Sequence, residues 1–390
     1  MARKKSKESS DLNVEDALSD IFKNDSSVYT LGELDAPVHV SDWISTGSSI
    51  LDLAISNRPN GGIPVGRITE ISGLEQSGKS LVSAHILAET QRRGGIAVLI
   101  DTEMAASSEF FKAIGVDLNK LHIKSADTVE ELFDFIETII EKVRSNPSLS
   151  DKLVTIVVDS IAAASSQREL DSDYGVDGYA TAKAIVIGKA LRKLTRPLAR
   201  HRIALVFTNQ LRMKMNAPAF TDPYDTPGGK GLPFFSSVRI RLSKRGKIKD
   251  KKTKKQYGLN VQAVIYKNRL GPPEQSCEFE ILFDRGINDY GSWLKVLKDN
   301  KLVKIKGSYS VYTLVDKKTG EVKEEWQFQS AEFVERLSND EEMKSAMNSD
   351  ICEALIMDYV DRDSAELNDD FFLDDGSDDD IVADKDGDDD

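Results

Sequence analysis

The sequence predicts an α/β fold: a mostly parallel sheet covered by helices on both faces, and three observations predict it. Short apolar runs alternate with helical segments between residues 41 and 209. A glycine-bracketed loop, Gly73-Leu74-Glu75-Gln76-Ser77-Gly78-Lys79-Ser80, joins one such run to the next helix. A second apolar run, Leu153-Val154-Thr155-Ile156-Val157-Val158, ends in Asp159. A strand buried on both faces reads as such a continuous run.

The elements follow in chain order. Residues 1–10 are polar and charged, and are expected to be disordered. Val14, Ala17, Leu18, Ile21 and Phe22 then recur at helical spacing, with Asp11 or Asn13 as cap. This arm, residues 1–40, packs on its own domain or docks on a neighbouring subunit; the pattern alone leaves both open. Buried strands are expected at 67–71, 96–101, 154–159 and 203–208, with helices at 80–93 and 129–144. Residues 211–235 are rich in Gly, Pro and polar side chains, too long for an ordinary connection and therefore functional or mobile. Residues 239–255 carry ten Lys or Arg and one Asp. Strands resume at 261–266 and 278–283. A small α+β region at 291–361 and an acidic tail at 362–390 complete the division, with the core at 41–290.

Composition bounds the function. With 390 residues, 40% of them hydrophobic, the chain can bury a large core and carry appendages. No apolar run spans a bilayer, and no apolar stretch follows the basic start, so no secretory leader is expected. Cys277 and Cys352 form no motif, which suits a reducing cytoplasm. The four histidines, His39, His85, His122 and His201, lack ligand spacing, so no zinc site is expected. The net charge of -13 is an appendix: from Asp363 to Asp390 there are 14 acidic residues and one Lys. The remainder is neutral, which leaves nucleic acid open as a partner.

The loop at 73–80 has the strand-before, helix-after context of a phosphate cradle. Gly73 and Gly78 permit the turns, and backbone N–H groups from Leu74, Glu75, Gln76 and Ser77 onward converge on phosphate oxygens. Lys79 is expected at the β- and γ-phosphates of a nucleotide, with Ser80 and Asp159 on Mg²⁺. Hydrolysis also needs a group to orient water. Asp101 and Glu103 both qualify, and either one caps the next helix if it has no catalytic role.

At this point the residues resemble the RecA family of recombinases. The resemblance runs from about Ile44 to Tyr290. It rests on ordered landmarks: Ile44-Ser45-Thr46-Gly47-Ser48, Gly66-Arg67-Ile68, the phosphate loop, Ile100-Asp101-Thr102-Glu103, Val157-Val158-Asp159-Ser160, Thr208-Asn209-Gln210-Leu211-Arg212-Met213-Lys214, Gly228-Gly229, Phe234-Phe235-Ser236-Ser237-Val238-Arg239, Lys267-Asn268-Arg269 and Gly286-Ile287-Asn288-Asp289-Tyr290-Gly291. Near the end, Tyr312-Thr313-Leu314 and Thr319-Gly320-Glu321 are similar to the recombinases of T-even bacteriophages.

The resemblance implies a RecA-like P-loop ATPase core that uses ATP and Mg²⁺. It implies a DNA-dependent ATPase that forms a homo-oligomeric helical filament on single-stranded DNA and exchanges strands with double-stranded DNA. It makes Glu103 the water-activating carboxylate and Gln210 the sensor of the γ-phosphate. It sets Phe110 against adenine, where helical periodicity alone would make it a core residue. Lys267 and Arg269 become cations that reach a neighbour's ATP, rather than solvated strand residues. Two loops, 167–178 and 211–231, become the DNA-contacting segments, with Arg192, Arg212, Lys214, Gly228 and Gly229 as contacts. One departure stands out: Ile185, with Lys183 nearby, occupies the position of a phosphate-binding Arg. The first loop is also acidic, with Glu169, Asp171, Asp173 and Asp177. The basic run 239–255 is either a duplex-DNA contact or a solvated hairpin. The tail is either a polyanion that competes with DNA or an aid to solubility. A single-strand-binding protein and a recombination mediator are further expected partners, and no membrane is. Two rival readings share the core: a hexameric helicase motor and a mediator ATPase.

Overall fold

The computed structural model describes residues 39–172, 179–214, 218, 220–250 and 252–359. The expected N-terminal helix, the acidic tail and residues 173–178 of the first loop lie outside these residues.

Strands β1 (Trp43–Ile44) and β2 (Ile63–Pro64) flank helix α1 (Ser49–Ser56) and pair with each other. Ser48 caps α1 by accepting the Leu51 N–H, and Asn57 ends it in the left-handed region. The chain then alternates: β3 (Ile68–Gly73), α2 (Lys79–Arg92), β4 (Ile96–Asp101), α3 (Ser108–Ile114), β5 (Leu121–Ser125), α4 (Val129–Ser145), β6 (Val154–Asp159), α5 (Gln167–Leu170), α6 (Tyr179–Arg200) and β7 (Ile203–Gln210). Two short strands, β8 (Arg212–Met213) and β9 (Tyr224–Asp225), and a short helix α7 (Gly231–Phe235) follow. A meander of β10 (Val238–Lys249), β11 (Gln256–Asn268), β12 (Gln275–Leu282) and β13 (Gly286–Asn288) closes the main sheet. The C-terminal part comprises α8 (Asp289–Asp299), β14 (Val303–Lys306), β15 (Tyr309–Val315), β16 (Val322–Gln329), α9 (Phe333–Asn339) and α10 (Glu341–Leu355).

The main sheet has nine strands in the order β13-β12-β11-β10-β3-β7-β6-β4-β5. From β10 to β5 every pairing is parallel, and from β10 to β13 every pairing is antiparallel. Strand alternation divides the parallel part between two cores. Ala97, Leu99, Val157, Ala204 and Val206 pack with Val82, Ile86 and Leu87 of α2. Val98, Ile100, Ile156, Val158, Leu205 and Phe207 pack on the opposite face with Leu132 and Ile136 of α4 and with Leu191 and Leu194 of α6. Thr128 caps α4 by accepting the Glu131 N–H, and its acidic first turn suits the helix dipole. A third cluster joins Trp293, Tyr312, Trp326, Phe328, Phe333 and Met347 with Ile50 and Leu53 of α1.

Two features escaped the sequence pattern. Strand β5 is an edge strand with Ile123 half exposed, so it presents no apolar run. The basic run 239–255 covers β10 from its second residue to its end and continues towards β11, a charged hairpin as one reading expected. Its first two cations are not solvated, however. Arg239 and Arg241 alternate with buried Val238, Ile240 and Leu242, and both are held in ion pairs.

Candidate active site

Strands β3, β7, β6 and β4 are parallel neighbours, so their C-terminal ends meet along one sheet edge. Open α/β sheets bind ligands outside such an edge. The loop after β3 turns through a left-handed Gln76 (φ 56°) and Gly78 (φ 99°), and α2 starts at Lys79. A Cβ on Gly73 would lie 2.3 Å from Ser77 Oγ and 2.8 Å from the Leu242 carbonyl oxygen. A Cβ on Gly78 would lie 2.7 Å from Ile281 Cδ1. Close approach thus demands the first glycine, and conformation and space together demand the second. Leu74, Glu75, Gln76 and Ser80 are exposed. Ser77 is buried, and its Oγ has no hydrogen-bond partner among the described residues. Lys79 Nζ donates to the carbonyls of Gly73 (3.1 Å) and Leu74 (3.0 Å). Burial lowers its pKa, while Asp159, Glu103 and Glu75 act in the opposite sense.

Ser80, Asp101, Glu103, Phe110 and Asp159 line one small cavity beside this loop. Asp159, at the end of β6, accepts a 2.6 Å hydrogen bond from Thr208 Oγ1 through one carboxylate oxygen. The two carboxylates that the sequence left equivalent differ sharply. Asp101 is 7% exposed, and its two oxygens accept the N–H groups of Glu103 (3.1 Å) and Ala106 (2.9 Å). It is occupied in holding the turn after β4. Glu103 is exposed, and its Oε1 accepts from Ser160 Oγ (2.7 Å) and from Gln210 Nε2 (3.3 Å). Phe110 is partly buried and meets Phe111 edge-on, with the ring centroids 5.6 Å apart. Phe111, not Phe110, is the fully packed member of that pair.

Lys267 and Arg269 lie elsewhere. Lys267 Nζ donates to the carbonyls of Pro233 (2.7 Å) and Phe234 (2.9 Å), and Arg269 Nη2 donates to Phe234 (3.2 Å). Both therefore reach the C-terminal carbonyls of α7, which a short helix leaves unpaired. Burial, with Arg269 and Arg239 nearby, pulls the Lys267 pKa down to about 8. Arg212 and Lys214 are exposed beside β8, and Arg192 is exposed on α6. Gly228 and Gly229 lie against α6, where a Cβ on Gly229 would approach Ala184 Cβ to 2.6 Å. Lys183 Nζ donates to the Ala162 carbonyl at 2.8 Å, and Ile185 is 64% exposed.

Sequence reasoning missed a polar network at the root of the 211–231 loop. Glu70, fully buried in β3, is paired with Arg239 and accepts from Asn209 Nδ2 at 2.9 Å. Asn209 Nδ2 also donates to the Pro227 carbonyl at 3.1 Å, and Arg239 donates to Thr226 Oγ1 at 3.3 Å. Arg239 and Arg241 lie over the ring of Tyr266, 4.5 and 5.0 Å from its centroid. The signal was a carboxylate inside the apolar run of β3, since a buried charge needs a cation.

This fold and this site define a phosphate-loop ATPase whose strand-end carboxylates face a nucleotide cradle. A profile described as the RecA N-terminal domain matches residues 12–288. Protein RecA of Aquifex aeolicus (strain VF5) is 38% identical over 284 residues, which cover 73% of this chain and 77% of the relative. Protein RecA of Helicobacter pylori (strain G27) is 36% identical over 312 residues, covering 79% and 85%. Protein RecA of Clostridium novyi (strain NT) is 38% identical over 288 residues, covering 73% and 77%. The chain belongs to the RecA family. It is an ATP-dependent recombinase of DNA recombination and repair and a DNA-dependent ATPase, from a family that forms filaments on DNA.

Proposed function

We propose that the chain polymerises on single-stranded DNA with ATP and Mg²⁺, pairs that strand with a homologous duplex, and exchanges strands. The observation that carries this reading is the 3.3 Å contact between Gln210 Nε2 and Glu103 Oε1. It joins the phosphate site to the first residue before the 211–231 loop. Glu103 orients the attacking water, and Gln210 reports the γ-phosphate to the loop. The backbone of residues 73–80 and Lys79 hold the phosphates, and Phe110 stacks on the base. Ser80 and Asp159 suit Mg²⁺, because they line one cavity and one Asp159 oxygen accepts no hydrogen bond among the described residues. The ion would neutralise charge on the β- and γ-phosphates.

Lys267 and Arg269 serve the ATP of a neighbouring subunit, and their grip on α7 ties that role to the loop. Arg192, Arg212, Lys214 and the Gly228-Gly229 backbone contact single-stranded DNA. Residues 1–40 form an oligomerisation arm, 41–290 the ATPase and DNA-binding core, 291–361 a small C-terminal domain and 362–390 a disordered tail. A single-strand-binding protein and a recombination mediator are its accessory partners. Tyr312-Thr313-Leu314 on β15 and Thr319-Gly320-Glu321 in the turn before β16 support kinship with the T-even phage recombinases. The protein then works at DNA in the cytoplasm of an infected bacterium. Electron microscopy with single-stranded DNA and a slowly hydrolysed ATP analogue tests the assembly. Helical filaments are expected, whereas closed rings would favour a helicase motor.

A further inference from the structure

Asp222 belongs to the 211–231 loop, and three positively polarised groups surround it. Arg241 Nη2 donates to Asp222 Oδ2 at 2.6 Å. The Tyr224 N–H donates to Oδ1 at 3.0 Å. Lys214 Nζ donates to the Asp222 main-chain carbonyl at 3.2 Å. The Arg241 guanidinium, assisted by Lys214, holds the Asp222 carboxyl below the usual carboxylate range. Arg241 itself is firmly seated. It alternates with buried Ile240 and Leu242 on β10, and its guanidinium lies over the Tyr266 ring. Its Nε is buried and makes no hydrogen bond among the described residues. The Arg241 Nη2, the Lys214 ammonium and the Tyr224 N–H form a set of donors that suits a phosphate diester.

We propose that Arg241 is a ligand for a phosphate of single-stranded DNA, and that Asp222 occupies it as an internal anion until DNA displaces it. This rests on the reading that the 211–231 loop contacts DNA. Two consequences separate it from a purely structural ion pair. Neutralising Asp222 removes a competitor and strengthens DNA binding. Neutralising Arg241 removes a phosphate contact, which weakens binding and flattens its salt dependence.

The test is binding of a fluorescent oligo-dT to the full chain with a slowly hydrolysed ATP analogue, across a salt series. Asp222→Asn is expected to tighten binding about fivefold, the scale of an exposed ion pair. Asp222→Ser, which can still accept the Tyr224 N–H, is expected to do the same. Arg241→Gln is expected to lower the slope of log affinity against log salt by about 0.7, the value of one single-strand phosphate. In the double variant Arg241→Gln/Asp222→Asn the gain from Asp222→Asn disappears. Unchanged or weaker binding by both Asp222 variants overturns the proposal, as does a gain that persists without Arg241. Arg212→Ala separates the two levels. If it weakens binding while the Asp222 variants do nothing, only the masking idea falls; if it too has no effect, the DNA-loop reading falls with it.

Discussion

The phosphate site and the 211–231 loop are neighbours on one sheet edge and are built in opposite ways. The phosphate site is local in sequence. Eight consecutive residues form the cradle, and a parallel ladder fixes Asp101 and Asp159 side by side, with Glu103 on the turn that follows β4. Its helix is held from behind by His85, whose Nε2 accepts the Ile287 N–H of β13 at 3.0 Å. Among its described residues the loop has no ladder of comparable length, since β8 and β9 pair over two residues each. Side chains far away in sequence hold it: Glu70 and Arg239 at its root, Arg241 at Asp222, and Lys267 and Arg269 under the helix that follows. The first arrangement is held by backbone ladders and a formed turn before any ligand arrives. The second depends on a few polar contacts, each of which a competing charge can displace. A switch needs both kinds of part.

Substitutions can break this contrast, and the largest effect is expected at the cradle. Lys79→Ala should abolish measurable hydrolysis with thermal stability unchanged, because among the described residues Nζ bonds only to carbonyls of its own loop. A calorimetric scan beside a phosphate-release assay checks both halves. Next comes the root of the loop. Glu70→Ala leaves the mostly buried Arg239 without its anion, and unfolding stability in urea should fall by about 3 kcal/mol. An unchanged midpoint would mean that Arg239 finds another partner. Glu103→Gln should lower turnover about a hundredfold while nucleotide affinity stays within about twofold.

The smallest effect sharpens the contrast from the rigid side. Burial, with Arg92 nearby, pushes the His85 pKa down from 6.5 to about 4, and its acceptor role requires an unprotonated ring. The unfolded chain therefore takes up this proton first. The stability that His85 contributes is complete above pH 6.5 and is lost as the pH falls from 6.5 towards 4. Asp52 and Asp289, which burial raises to about 7 and about 6, act with the opposite sign over the same range. The His85 contribution must therefore be read as a difference between wild type and His85→Gln. That difference should shrink by about 1–2 kcal/mol on acidification. A pH-independent difference would contradict the buried neutral imidazole.

The same contrast explains what could be read in advance. Strands at 96–101 and 154–159 were legible to the residue, because burial on both faces makes them uninterrupted apolar runs. The phosphate loop was legible because its constraints lie within eight residues. The choice between Asp101 and Glu103 was not legible from spacing. It depends on which carboxylate receives the N–H groups of the turn, and only the folded backbone decides that. Arg239 and Arg241 were hidden for a different reason. As a string they belong to a basic run, and only pairing of β10 with β3 and β11 brings them to Glu70 and Tyr266. Strand β5 was missed because an edge strand buries too little to show a period.

The central claim is that the γ-phosphate site and the DNA loop communicate through Gln210. The most direct measurement is steady-state ATP hydrolysis with and without single-stranded DNA, for wild type and Gln210→Ala. Strong stimulation in the wild type, lost in Gln210→Ala with basal turnover within a few-fold, is the predicted result. Equal stimulation in both proteins, or none in either, would contradict it.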